Sequence, residues 1–538
     1  MHAKTLVTTL DLSSVEELPS AQQKIYVLSV AHMSINDVTA DRIETLHDIN
    51  NFQTSKRLSF PITINNTNDV NDGNCPPPII LNRLIDALRS GNHKLILRKW
   101  KQGARWWNLN MNHADTSSSS TTNDNSNINN TLSMAKAEVA GYRLAKLAMS
   151  HHSQQHKRKI CAHVPDVLYF SHDENNTEGA PWALFSYFGD CTEGLDEDGN
   201  EERNIDINIE NNSTLKWDLK NAISVAKTSQ SSSLQHNHLV ECKHYPSTMT
   251  KIRHEFGFDE PHPRHGRVPI DECSDYAHMI LRDVVLPVQF SFFEWSSSSS
   301  SSSSLQPSVN DMEWKHSLCA LAVDSQTSKS FQYQDMIAVY RHAQQRLSAA
   351  KKNATVGDER MDALLQMMYE CVSALEHEWD GHDGRHPPPL PAVICHMDLQ
   401  PQNLTFWHDR HGNDNGNINV HVSKHCSVAS VVDFEEAAYA DPRFEVLLIC
   451  RKVLANLEQA EGLWKSYSSS VKLQTTWDVG PIEPWLRLET VHSLFTLLLQ
   501  ANNLLGGGRN PWETKPDLWG KIDRERRRLV RMGWSFCG

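Results

Sequence analysis

No G-x-G-x-x-G occurs in the first 90 residues, so the usual glycine-rich turn that presents backbone N–H groups to phosphate is missing from the N-terminal stretch. No apolar run reaches eighteen residues, and no apolar segment of the signal-peptide kind opens the chain. A membrane span and a secretory leader are therefore not expected. Positive charge is in short supply. The 52 Lys and Arg are outnumbered by 65 Asp and Glu, and the net charge of −13 argues against a nucleic-acid binder. The short basic run Arg526-Arg527-Arg528 lies in an amphipathic helical pattern and reads as a solvated face. The 11 cysteines are odd in number and irregular in spacing, which gives no disulfide framework and fits free thiols in a reducing, cytoplasmic compartment. Cys161-x-His163 and His425-Cys426 lack the second pair that a zinc site needs.

What is present is ample apolar residue, 39% of 538, interrupted by polar spacers. Asp, Ser, Thr and Asn fill about 113–131, acidic and Asn-rich sequence fills about 193–213, serine runs unbroken through 296–304, and Asn recurs through about 408–419. None buries enough apolar surface to offset the entropy of ordering, so all four are expected to be disordered insertions. Between them the patterning is regular. Lys94-Leu95-Ile96-Leu97-Arg98-Lys99-Trp100 reads as a strand after the Gly91-Asn92 turn, and Val164 to Ser171 and Trp182-Ala183-Leu184-Phe185-Ser186-Tyr187-Phe188-Gly189 as two more. Val139, Tyr142, Leu144 and Leu147 fall at helical spacing, as do Met361, Leu364, Leu365, Met368, Cys371, Val372 and Leu375.

The most specific pattern is His396-Met397-Asp398-Leu399-Gln400-Pro401-Gln402-Asn403, followed by Val431-Val432-Asp433-Phe434. An apolar strand precedes it at Leu390-Pro391-Ala392-Val393-Ile394-Cys395. Strand-like runs at Leu404-Thr405-Phe406-Trp407 and Val428-Ala429-Ser430-Val431-Val432 link its two halves. An H-x-D-x-x-x-x-N loop and a strand ending in D-F supply one carboxylate to orient a hydroxyl and accept its proton. They also supply two hard oxygen donors suited to magnesium.

These residues, with the continuation Glu435-Glu436-Ala437-Ala438-Tyr439-Ala440-Asp441-Pro442-Arg443-Phe444-Glu445, resemble the aminoglycoside phosphotransferase and choline kinase-like superfamily, most strongly over 390–455. The resemblance implies an α+β, protein kinase-like two-lobe fold. A smaller β-rich lobe is expected over 1–189, and a larger, mainly helical lobe over 190–538. It implies ATP and Mg2+ as cofactors, Asp398 as catalytic base, His396 as a residue that orders the loop, and Asn403 and Asp433 as metal ligands. Arg98 resembles the family's phosphate-binding basic residue, with Lys99 the competing candidate, and Glu138 its helix partner. Ser34-Ile35-Asn36 or Ile64-Asn65-Asn66 could serve as the loop over the phosphates. The Arg- and His-rich stretch 253–267 falls where the superfamily places substrate elements, which makes Arg264 and Arg267 candidate substrate residues, together with Glu436 beside the metal Asp. The expected activity is transfer of the γ-phosphoryl group of ATP to a hydroxyl of a small molecule. The acidic balance favours a cationic acceptor, and the Arg cluster an anionic one. A nucleotide-binding pseudokinase scaffold and a protein kinase are the alternatives. Against the latter, no A-P-E follows Asp433, and Glu435 stands in place of the D-F-G glycine.

Overall fold

A computed structural model describes residues 4–18, 23–37, 52–64, 79–90, 93–100, 123–156, 162–172, 180–187, 206–209, 239–240, 270–298, 317–322, 329–352, 359–380, 390–399, 403–407, 427–454, 457–505 and 517–531. The chain divides into two compact units. One comprises Met1–Gly103, Thr122–Arg143 and Val164–Glu241, and the other Ala104–Thr121, Leu144–His163 and Cys242–Gly538.

The first unit is built on a largely antiparallel sheet. Its strands are β1 (Lys4–Leu18), β2 (Gln23–Asp37), β3 (Arg57–Ile64), β4 (Lys94–Trp100), β5 (Val167–Phe170) and β6 (Trp182–Ser186), in the order β3-β1-β2-β4-β6-β5. The short strand β7 (Asp206–Ile209) pairs parallel to β2. Side chains alternate across a strand, so Tyr26, Leu28 and Val30 of β2 and Leu95 and Leu97 of β4 share one face. They pack in one core with Leu81, Leu84, Ile85 and Leu88 of helix α2 (Ile79–Ser90), while Phe52 of the single turn α1 (Phe52–Ser55) meets Tyr26 edge-on at 5.1 Å. The opposite face carries Arg98 and Trp100. It is covered by α3 (Asn123–His156), whose Tyr142 ring lies 4.9 Å from that of Phe185. A two-residue strand, β8 (Leu239–Val240), completes the unit's described elements.

The second unit is mostly helical. A helical rod is formed by α4 (Ile270–Ile280), a π-helical turn (Leu281–Val285) and α5 (Leu286–Ser298). Next come α6 (Tyr333–Lys352) and α7 (Glu359–Asp380), then the short strands β9 (Val393–Cys395), β10 (Leu404–Trp407), β11 (Ser427–Val431) and β12 (Ala438–Ala440). The chain continues through α8 (Arg443–Lys452), α9 (Leu457–Gln474), α10 (Glu483–Leu505) and α11 (Asp517–Arg531). Antiparallel pairs join β9 to β12 and β10 to β11. The α7 stripe Met368, Cys371, Val372 and Leu375 is fully buried, as its spacing predicts. A sheet-based unit and a mainly helical one make up the α+β class expected.

Four expectations change. Ser34, Ile35 and Asn36 lie within β2 and pair with Thr9, Thr8 and Val7 of β1, so they form no phosphate loop. Ile64 is the last residue of β3, and Asn65 and Asn66 lie outside the described residues. Helix α3 starts at Asn123, inside the expected polar spacer, because extending a helix costs far less than nucleating one. Asp206–Ile209, placed in a disordered stretch, forms β7, and Ser296–Ser298 finish α5. Arg264 and Arg267 lie outside the described residues.

Candidate active site

In the second unit, β9 delivers the chain into the loop that begins at His396. Asn403 closes this loop onto Asp398: its Nδ2 donates to the Asp398 carbonyl at 2.9 Å and to Asp398 Oδ2 at 3.0 Å. One amide therefore fixes both the backbone and the carboxylate of Asp398, and directs its own Oδ1 away from that contact. The Asn403 carbonyl in turn accepts the Val432 N–H at 3.0 Å, which brings the loop beside the strand end that carries Asp433.

His396 ties the same two segments. Its Nδ1 accepts the Asp398 backbone N–H at 3.3 Å and its Nε2 lies 2.9 Å from the Val432 carbonyl. An accepting Nδ1 requires the neutral tautomer with the proton on Nε2, which then donates to Val432. The ring also packs on Phe434, with centroids 4.4 Å apart. Beneath the loop, the Glu445 carboxylate at the start of α8 accepts the backbone N–H groups of His396 and Met397, the latter at 3.5 Å. Glu445 is 4% exposed. Cys395 is wholly buried next to it. Burial, and secondarily the charges of Glu445 and Asp441, push its thiol well above the usual range, so it stays protonated. Asp441 and Arg443, both nearly inaccessible, form a two-pronged ion pair (2.9 and 2.6 Å), with the guanidinium over the Trp485 ring at 4.6 Å.

Two backbone conformations stand out. Among the described residues, four non-glycine residues have positive φ, and two of them are Met397 (63°) and Asp433 (71°). Asp433 is left-handed, with ψ 59°, at the entry to a 3-10 turn formed by Phe434–Glu436. Asp is among the few residues that tolerate this region, and outliers of this kind cluster at functional sites. Glu435 and Glu436 are half-buried in that turn.

In the first unit, Arg98 is 6% exposed and Glu138 is fully buried, and the two form an ion pair. Glu138 also accepts the Trp100 Nε1–H at 2.8 Å, and Arg98 Nε donates to Gln23 Oε1. Lys99 points to the other side of β4, so of the two basic candidates Arg98 is the one beside Glu138. Gln23 is 2% exposed and opens β2; a lone Gln at a strand start carries no sequence signal of such a role.

The sequence places Asp398, Asn403, His396 and Asp433 in one loop system, and the structure brings their segments together through the contacts above. The donor set fits magnesium: Asn403 Oδ1 and the Asp433 carboxylate are hard oxygens, and water and nucleotide phosphates would complete the shell.

No protein-family profile matches the chain, and no curated protein matches it in sequence. Solved structures do match. One is a thermostable mutant of aminoglycoside phosphotransferase APH(4)-Ia in ternary complex with AMP-PNP and hygromycin B. It is 11% identical, covers 98% of this chain and 96% of its own, and has a TM-score of 0.33. A GDP and kanamycin complex of APH(2")-IIia is 8% identical over 97% of this chain and 95% of its own, with a TM-score of 0.35. A choline/ethanolamine kinase family protein from Mesorhizobium loti is 17% identical over 41% and 61%, with a TM-score of 0.23. Among the described residues no helix is long and apolar enough to cross a membrane.

Proposed function

We propose that the protein is an ATP- and Mg2+-dependent phosphotransferase that moves the γ-phosphoryl group to a hydroxyl of a small molecule. The observation that carries this reading is the locking of Asp398 by Asn403 and His396 beside a left-handed Asp433. Asp398 orients the acceptor hydroxyl. As the acceptor oxygen bonds to the γ-phosphorus, the bond to the bridging oxygen of ADP breaks, and Asp398 takes up the hydroxyl proton. Asn403 and Asp433 would hold magnesium, which would neutralise the charge of the nucleotide phosphates. Arg98, oriented by Glu138, is assigned to the nucleotide. His396 holds the loop and donates no proton to the reaction, because its single N–H is already given to Val432. The acceptor is read as cationic, since Glu435 and Glu436 directly follow Asp433 and the chain carries −13 overall.

Two variants test the reading. Asp398→Asn should lower turnover by at least about 10²-fold, the usual contribution of a general base, with nucleotide binding intact. Asp433→Asn keeps a residue at ease in the left-handed region but loses the carboxylate. It should shrink the Mg2+-dependent rise in melting temperature caused by ATP. Turnover of Asp398→Asn within a few-fold of wild type, or an undiminished shift in Asp433→Asn, would overturn these assignments. A panel of amino-alcohols, aminosugars and sugar acids tests the acceptor, and selective turnover of the acids would reverse its assigned charge.

A further inference from the structure

The rod α4–π-turn–α5 changes its winding for a reason visible in the sequence. Pro287 sits at the second position of α5, and in an unbroken α-helix its ring would press on the carbonyl four residues earlier, that of Asp283. The rod widens instead. The Leu286 N–H donates to the Leu281 carbonyl, an i→i−5 bond, and Leu281–Val285 form a π-helical turn. This turn lies against the catalytic loop. Val284 and Val285 line a cavity of about 20 Å³, room for roughly one water, together with His396, Leu399, Phe434 and Glu445.

The carboxylate of Asp283, 12% exposed, turns toward β11. Its Oδ2 accepts the Val428 backbone N–H at 3.0 Å, while Arg282 pairs with the same carboxylate at 2.6 Å from an exposed position. The Val428 N–H falls where the β10–β11 ladder is irregular: Thr405 pairs with Ser430 and Phe406 with Val428, so Ala429 is the extra residue of a bulge. Further along β11 the Val431 N–H goes to the His163 carbonyl at 2.9 Å, then Val432 bonds the loop, then comes Asp433. The strand is pinned at Val428, Val431 and Val432, and the first pin is the one made by a side chain.

We propose that Asp283 is a positioning residue that anchors β11 at its bulge and thereby sets where Asp433 stands. This inference rests on the phosphotransferase reading for its effect on metal binding, though the anchoring itself does not. The contact needs an acceptor oxygen at that distance rather than a charge. Asp283→Asn therefore preserves it, Asp283→Ala removes it, and Asp283→Glu keeps the charge but shifts the oxygen by one methylene.

Two measurements test it on the full chain. The first is backbone hydrogen exchange of the peptide that spans β11, with no ligand present. Exchange should quicken in Asp283→Ala and Asp283→Glu and stay at the wild-type rate in Asp283→Asn. The second is a Mg2+ titration of the thermal stabilisation given by AMP-PNP. Its midpoint should rise at least about tenfold in Asp283→Ala, the factor that corresponds to one lost hydrogen bond to a charged acceptor, and return near wild type in Asp283→Asn. If Asp283→Ala does not fold, Asp283→Glu is read in its place. Unchanged exchange in Asp283→Ala or Asp283→Glu overturns the anchor. Faster exchange with an unmoved Mg2+ midpoint overturns its effect on Asp433. If wild type gains no Mg2+-dependent stability from AMP-PNP, the phosphotransferase reading fails, while altered exchange would still establish the anchor.

Discussion

At the scale of single residues, the site depends on a few side chains that hold backbone rather than substrate. Glu445 is the plainest: one buried carboxylate serves two consecutive N–H groups of the catalytic loop, the second on a residue with positive φ. Truncation leaves both donors buried without that acceptor. Glu445→Ala should lose about 2–5 kcal/mol of stability, from about 1–3 kcal/mol for each stranded group. Glu445→Gln retains an acceptor oxygen and should lose less than half as much. Urea denaturation of the two variants checks this, and equal losses would mean that the charge rather than the hydrogen bonds matters. The proposed site residues Asp398, Asn403 and Asp433 stand out in the sequence because strand-like runs frame their motif. The supporting residues were not. Gln23 and Asp283 act through tertiary contacts 75 and 145 residues away in sequence, and no local pattern reports a contact of that range.

At the scale of elements, the sequence discloses what periodicity can encode. Strand β4 has the bounds its alternation predicts, and Met368, Cys371, Val372 and Leu375 of α7 have the burial their 3.6-residue stripe predicts. The long hairpin of β1 and β2 escaped notice because polar residues such as Thr8, Thr9 and Gln23 are buried along it and blur the alternation. The π-turn escaped because only the Pro287 ring, not hydropathy, demands it. The most consequential contact between elements in the first unit is the Arg98–Glu138 pair that ties α3 to β4, with Trp100 and Gln23 as its partners. Glu138→Ala strands a buried guanidinium and an indole N–H, and should cost about 3–5 kcal/mol. Arg98→Lys keeps the charge but has no Nε to give Gln23, and should cost about 1.5–3 kcal/mol, the worth of one hydrogen bond to a charged group. Chemical denaturation of both variants measures the difference, and a Lys variant as unstable as the Glu138 variant would refute the role given to Gln23.

At the scale of the whole molecule, composition assigns no substrate, because net charge says nothing about where the charges sit. It does say where the chain is vulnerable. Cys395, Cys450 and Tyr467 are fully buried, and burial holds all three protons to higher pH than in the unfolded chain. Above the ordinary thiol and phenol values, about 8.5 and 10, the unfolded state releases protons that the native state retains. The native state then binds more protons, so the unfolding free energy must fall as pH rises, by up to about 1.4 kcal/mol per pH unit for each group. Below about pH 8 these groups impose no slope. The melting temperature should hold steady to about that pH and drop steeply beyond about pH 9. Cys450→Ala should flatten part of the drop. A profile flat to about pH 10.5 would contradict the burial of these groups.

The left-handed backbone at Asp433 has a consequence for how this chain could change over generations. A single base change converts an Asp codon to one for Asn or Gly, and both residues are comfortable at positive φ. Either would erase the carboxylate while sparing the fold, so quality control that recognises only misfolding would pass the altered chain. Most other replacements there would add a conformational penalty of about 1 kcal/mol or more and be easier to purge. The same geometry that holds the carboxylate in place therefore leaves a well-folded descendant that lacks it one base away.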